Sequence, residues 1–276
     1  MREVTLEELK TEAKRFFPLD VRDMHIRREN QEGNAAMIMS GLPGSGLNFC
    51  IKHELLLCLL QKSKIIEIDT ENEHLALAET FSNVAKVCFI RISGCDTSWT
   101  IPDDFDYLHI SLYYVPSSEQ HKVSRKVLSS LWEQLKNRND NEKIWLFHTE
   151  LSLHMTHNDL PHDATVDDIM ENAFRYNVIP TFALIDLEDF DEETQRWCES
   201  LSYAVILAQT CLTRTILKDR FGYSQKLLDC ITNSEPGQGI MVCEGKRQEI
   251  YYHSDTTTML YLLATSKSSE LVIKKG

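Results

Sequence analysis

The stretch Gly41-Leu42-Pro43-Gly44-Ser45-Gly46-Leu47-Asn48 carries the clearest chemical shape in this chain. Two glycines separated by four residues stand between a predicted strand, Ala35–Ser40, and a predicted helix, Leu47–Gln61. In that setting successive backbone N–H groups and the helix N-terminus form a cradle for an anion such as a phosphate. A working phosphate loop continues with Lys, which reaches the β- and γ-phosphates, and then Ser or Thr, which holds Mg²⁺. Here those positions are Leu47 and Asn48. A charge-assisted hydrogen bond contributes about 1.5–3 kcal/mol, and ~1.4 kcal/mol is tenfold in affinity. Without both groups, nucleotide binding should fall by several powers of ten. The alternative reading of the same residues is a tight strand-to-helix connection.

Phosphoryl transfer also needs a carboxylate for the metal and a second group to orient water. The apolar run Ile144–Phe147 leads into His148-Thr149-Glu150, which places a carboxylate at Glu150 but a hydroxyl at Thr149, where the metal-binding Asp belongs. Removing one preorganised electrostatic group commonly lowers the rate by about 10²–10³. Lysine, metal hydroxyl and metal carboxylate are all missing, so hydrolysis is not expected. A different chemistry uses Glu150, His154 and His157, whose spacing would align them on one helical face as three metal ligands. Against it stands a polar loop that also contains His162 and Asp163. His148-Thr149-Glu150 has the HxE form of zinc deaminases, but no PCxxC follows, which removes that reading.

The chain has 276 residues, with 29 basic against 42 acidic side chains and a formal charge of −13. That balance disfavours bulk nucleic-acid binding, where neutralising phosphates dominates the affinity. Eight cysteines lie scattered without a CxxC pair and read as buried reduced thiols, not a disulfide framework. The first residues lack the apolar core of a secretory signal, and no apolar run approaches the ~20 residues of a membrane span. A cytoplasmic protein, associated with a membrane face only through partners, is expected.

The elements that must hold these residues alternate between short apolar runs and helical stretches, the pattern of a parallel sheet covered by helices. Strands are predicted at 35–40, 64–69, 87–92, 144–147, 180–185 and 203–208. Helices are predicted at 47–61, 73–81, 123–136, 167–176, 192–200, 212–221, 224–232 and 255–264. A hairpin of 240–243 and 249–252 should turn at Glu244-Gly245. Residues 1–34 read as an N-terminal extension, 35–276 as one α/β domain, 93–122 as an aromatic-rich insertion, and the Lys/Ser-rich end as frayed. Arg22, Arg27 and Arg28 read as a solvated mixed-charge face. The acidic run Asp186, Glu188, Asp189, Asp191, Glu192 and Glu193 reads as a helix start.

Five segments in order resemble the ATPases of conjugative type IV secretion systems. Ile38–Lys52 (IMSGLPGSGLNFCIK) is similar to ILGTPGSGKSFxxK, and Ile65–Ala78 (IIEIDTENEHLALA) to IIIDPEREYxxL. Trp145–Leu153 (WLFHTELSL) resembles WIxIDEIHLL, and Asn177–Phe190 (NVIPTFALIDLEDF) resembles GGIPTGITQNVEDL. Thr213–Gly239 (TRTILKDRFGYSQKLLDCITNSEPGQG) follows DRxxLxxLxxxSxxQLxYITNxxPGQG. The resemblance spans roughly residues 35–264. It implies a RecA-like P-loop NTPase fold with a mostly parallel central sheet, working with other subunits of a conjugation apparatus as a homo-oligomer or mixed ring. It also implies a phosphate loop at Gly41, Gly44, Ser45, Gly46, Leu47 and Asn48, with Glu150 and Arg214 as catalytic remnants. Departures fall on the chemical positions: Leu47, Asn48, Thr149, and Ile185-Asp186 where the γ-phosphate sensor Gln-Asn belongs. No bound ATP, Mg²⁺ or other metal is therefore expected, and the chain reads as a pseudo-ATPase. An active motor completed by neighbouring subunits is the alternative.

Overall fold

The computed structural model describes residues 2–94, 98–154, 163–186, 201–232, 234–265 and 271–274. A nine-stranded sheet runs through its middle. Its strands are β2 (Met37–Ser40), β3 (Lys64–Asp69), β4 (Val87–Arg91), β5 (Tyr107–Ser111), β6 (Ile144–His148), β7 (Val178–Leu184), β8 (Tyr203–Ile206), β9 (Gln238–Cys243) and β10 (Lys246–Tyr251). The spatial order is β10-β9-β8-β2-β7-β6-β3-β5-β4. From β8 to β4 every pair is parallel, while β9 and β10 close the other edge as an antiparallel hairpin. The strand before the glycine turn, β2, is thus separated from β6 by β7 alone. Both faces of the parallel strands are covered, which is why β2, β5, β6 and β7 are buried along their entire length.

One face packs against α1 (Leu6–Phe16), α2 (Leu19–Asn30), α3 (Leu47–Gln61), α4 (Leu75–Phe81) and α9 (Met259–Ala264). The other packs against α5 (Ser117–Lys136), α6 (Ala164–Asn172), α7 (Cys211–Asp219) and α8 (Gln225–Asp229). The architecture is α/β, as the alternation of elements predicts. Among the described residues, no helix is long and apolar enough to cross a membrane.

Three expectations change. Residues 1–34 are no appendage: Leu9, Phe16, Val21 and Met24 are buried in the same core as α3. The strand β1 (Arg2–Thr5) pairs in parallel with β11 (Leu271–Lys274), so residues 271–274 form a strand within the stretch where fraying was expected. With α1, α2 and α9 above it and the sheet below, α3 is enclosed on nearly every side, including His53 and Glu54. Second, the stretch read as an insertion contains β5, which sits inside the sheet between β3 and β4. It escapes an apolar-run search because His109 and Ser111 occupy alternate positions. Helix α5 likewise begins at Ser117, six residues before its apolar rhythm does.

Third, Arg28 is fully buried instead of solvated. Its Nε donates to the Ala35 carbonyl at 3.0 Å and Nη2 to the Pro180 carbonyl at 2.8 Å. Glu54 of α3 lies 3.7 Å from the same guanidinium, which also stacks over Trp145 at 4.9 Å. Arg27, by contrast, is exposed and pairs with Glu244 at 2.7 Å. The hairpin turn falls at Glu244 and Gly245, both with positive φ, as the sequence predicts. The helix expected at 192–200 lies outside the described residues.

Candidate functional site

The glycine turn leaves β2 and enters α3 at the carboxyl ends of the parallel strands, the usual place for a ligand in an open α/β sheet. Two neighbours hold its entry: Gly41 donates its N–H to the Leu184 carbonyl at 3.1 Å, and Leu42 donates to Ala208 at 3.0 Å. Ser45 N–H closes the turn on the Leu42 carbonyl at 2.9 Å. The N–H groups of Gly44, Gly46, Leu47 and Asn48 donate to no backbone acceptor among the described residues. All four residues face one cavity of about 420 Å³. The anion cradle is therefore present in shape.

Its side chains have the wrong charge for a triphosphate. The cavity is lined by Asp69, Thr70, Glu71 and Glu73 from the end of β3, by Thr149 and Glu150 after β6, and by Ile185 after β7. Four carboxylates face the loop, and among the described residues no Lys or Arg lines the cavity. Lys52 of α3 does not line the cavity. Burial pushes its ammonium pKa down, against the opposing pull of Glu73, Asp69 and Glu67.

The positions that depart from the resemblance have other tasks. Thr149 Oγ1 accepts the Thr70 N–H at 3.2 Å and contacts the Ile68 carbonyl at 3.3 Å, stapling the ends of β3 and β6 together. Ile185 stands at the cavity wall, half exposed. Asp186 turns away: it accepts the Thr213 hydroxyl and, at 3.4 Å, the Thr210 N–H, which ties down the start of α7. Arg214 lies partly exposed on α7 and is not a cavity residue. Glu150 is one, and accepts from Ser152 Oγ at 2.5 Å.

The glycine turn also serves packing. Gly46 has φ +92°, and a Cβ there would lie 2.7 Å from the backbone nitrogen of Gly237. That same Gly237 N–H donates to the Ser45 carbonyl at 2.7 Å. The Pro236-Gly237-Gln238-Gly239 segment is thus clamped onto the loop.

The metal set Glu150, His154 and His157 does not assemble as one helical face. His154 closes a short 3-10 turn, Leu151–His154, and His157 lies outside the described residues. His154 Nδ1 donates to Asp163 at 2.8 Å, and its Nε2 meets Ser124 Oγ at 2.9 Å and His148 Nε2 at 3.0 Å. His148 Nδ1 in turn accepts the Glu150 N–H at 3.2 Å. Burial holds the pKa of both imidazoles below the usual range. A chain of neutral groups with defined tautomers results, locking β6 to α5 and α6. Serine, histidine and aspartate stand in the order of a nucleophilic triad, but Ser124 is fully buried inside α5.

Sequence reasoning passed over Asp69, Glu71 and Glu73. Their signal was their place at the end of a predicted strand beside the one carrying Glu150. It also passed over Glu67, His74 and His109, which the structure gathers beneath Asp69.

No family model matches the chain, and no curated protein is detectably similar to it in sequence. Solved structures are similar in fold. VirB4 of Thermoanaerobacter pseudethanolicus aligns over 85% of this chain and 94% of its own at TM-score 0.70 and 15% identity. The bacterial conjugative coupling protein TrwB, in complex with sulphate, aligns over 92% and 94% at TM-score 0.59 and 10% identity. B204, the DNA-packaging ATPase from Sulfolobus Turreted Icosahedral Virus, aligns over 79% and 98% at TM-score 0.53 and 11% identity. The chain therefore has the P-loop NTPase fold of the conjugation and packaging motors, the fold that its resemblance to conjugative secretion ATPases implies.

Proposed function

We propose that this protein is a catalytically degenerate, RecA-like subunit of a conjugative secretion apparatus, acting through contacts with other subunits instead of through turnover. The observation that carries the reading is the lining of the loop cavity: four open N–H donors face four carboxylates and, among the described residues, no basic side chain. A triphosphate entering that space meets like charge. The two groups that would offset it, a loop lysine and a metal-binding pair, are Leu47, Asn48 and Thr149. Thr149 and Asp186 serve the fold, and Gly46 accommodates Gly237, so the glycine turn has a structural reason to persist without nucleotide. Neither ATP nor Mg²⁺ is required by this role.

Calorimetry with Mg·ATP and an ATPase assay on the purified chain test it. No saturable micromolar binding and no hydrolysis are expected. Hydrolysis abolished by Glu150→Gln would overturn the proposal.

A second reading keeps the motor active in a mixed ring, with neighbours supplying the missing cations. It draws on the retained N–H cradle, on Glu150 in the cavity wall, and on Arg214 standing outside the cavity of its own chain. Co-assembly with an intact homologue decides it: activity of the mixed ring that is lost with Arg214→Ala supports this reading, and an inactive ring rejects it.

A further inference from the structure

Glu67 and Asp69 project from the same face of β3, and the parallel register sets Glu67 beside His109 and Asp69 beside Ser111 on β5. His74, at the start of α4, closes over them. All four groups of interest, Glu67, Asp69, His74 and His109, are buried. Glu67 accepts three hydrogen bonds: from the Tyr107 hydroxyl, from His74 Nδ1, and from His109 Nδ1 at 3.0 Å. Donation from Nδ1 fixes the His109 tautomer and leaves Nε2 presenting a lone pair.

That Nε2 is buried without a hydrogen-bond partner, as is Nε2 of His74. It points toward Asp69 Oδ2 at 3.9 Å, too far for a hydrogen bond. Two donors of one tetrahedral ion with bonds of about 2.0–2.2 Å stand roughly 3.3–3.6 Å apart, so the gap closes on a shared metal with a shift of a few tenths of an ångström. One potential ligand atom from each of Glu67, Asp69 and His74 lies within 4.8 Å of the others. Asp69 accepts the Glu71 N–H at 3.1 Å and the His74 N–H at 3.0 Å, which leaves each of its oxygens a further lone pair for a cation.

We propose that His109 Nε2 and the Asp69 carboxylate, walled by His74 and Glu67, bind one divalent transition-metal ion of the zinc, cobalt or manganese kind. Glu67 orients His109 in a carboxylate–histidine–metal arrangement, which fixes the ring and raises its basicity. Nitrogen and oxygen donors without thiolate suit these ions. Asp69 also lines the loop cavity. The ion ties β3, β5 and the start of α4 together at the cavity floor, and its binding does not depend on nucleotide.

The test uses the full chain, stripped with a chelator and kept free of nucleotide. Zn²⁺ titrated by calorimetry is expected to bind at one equivalent and to raise the thermal midpoint. X-ray absorption at the zinc edge should report imidazole nitrogen and carboxylate oxygen without sulfur. His109→Gln and Asp69→Asn should each weaken binding by about 100-fold or more, and Glu67→Gln by about 10–100-fold. His253→Gln, an exposed histidine remote in sequence, should bind as the unaltered chain does. Failure of Zn²⁺, Co²⁺ and Mn²⁺ alike to bind near one equivalent overturns the proposal, as does binding unchanged in the first two variants. Should those variants not fold, the zinc-edge spectrum of the unaltered chain decides alone: sulfur ligation, or no imidazole, overturns it.

Discussion

Leu47 is the first residue of α3, with its N–H open to the cavity and its side chain beside Phe49 and Asn48 in the wall. A lysine there would restore a cation opposite four carboxylates. Leu47→Lys is therefore expected to raise affinity for ATP by about tenfold or more, since one charge-assisted hydrogen bond is worth about 1.5–3 kcal/mol. Fluorescent-nucleotide titration reads that gain, and no gain would mean that the cradle itself is closed to phosphate. Buried imidazoles give a second expectation at this scale. Burial pushes His53 down to about 3, and it also lowers His148, with the neighbouring His154 adding to the effect, and His154 itself. Unfolding exposes each to its ordinary value near 6.5, where the unfolded chain takes up protons that the folded chain refuses. Stability is thus present above about pH 6.5 and lost as pH falls below it, by up to about 1.4 kcal/mol per pH unit for each imidazole kept neutral. His109, beside Glu67, is shifted upward and acts in the opposite sense, its contribution full below about pH 6.5 and lost as pH rises above it. Denaturant midpoints measured from pH 6.5 to 5 should decrease steadily; a flat profile would contradict the neutral His148–His154 lock.

Among the elements, the β2–glycine turn–α3 unit was legible in the sequence because its glycines are needed twice, for backbone conformation and for contact. Gly46→Ala places a methyl against Gly237 nitrogen at a φ that side chains rarely adopt. A loss of at least about 1–3 kcal/mol is expected, seen by chemical denaturation, even though the substitution alters no charge. An unchanged midpoint would show that the loop and the Pro236-Gly237 turn can part freely. The strand β5 was illegible for the converse reason. Its alternate residues, Tyr107, His109 and Ser111, turn toward Glu67, Asp69 and Asn72, so polar groups occupy positions where pattern reading looks for apolar ones. The acidic lining was equally hidden: spacing identifies the loop, but only the order of strands brings Asp69, Glu71 and Glu73 to face it.

At the scale of the molecule, the two-layered covering of a mostly parallel sheet followed from the alternation of apolar runs, whereas the fate of the N-terminal helices did not. Their sequences are rich in charge, and the few apolar residues in α1 and α2 look sparse until α3 is seen to need covering on its outer side. Phe16 is fully buried against Phe17, Phe49 and His53, with ring centroids 4.7, 6.4 and 4.4 Å away. Phe16→Ala is expected to destabilise the entire domain by about 3–5 kcal/mol, with one cooperative transition. A separate early transition of the N-terminal segment would restore the picture of an appendage.

The pairing of β1 with β11 has a kinetic consequence. Arg2 and Thr5 find their partners at Leu271 and Lys274, nearly the whole polypeptide away. Closing so long a loop is entropically expensive and slow. During synthesis β1 must therefore wait, its edge unpaired, until β11 has left the ribosome. Val4, buried in the finished fold, stays exposed for that interval and is sealed only once β11 docks beside it.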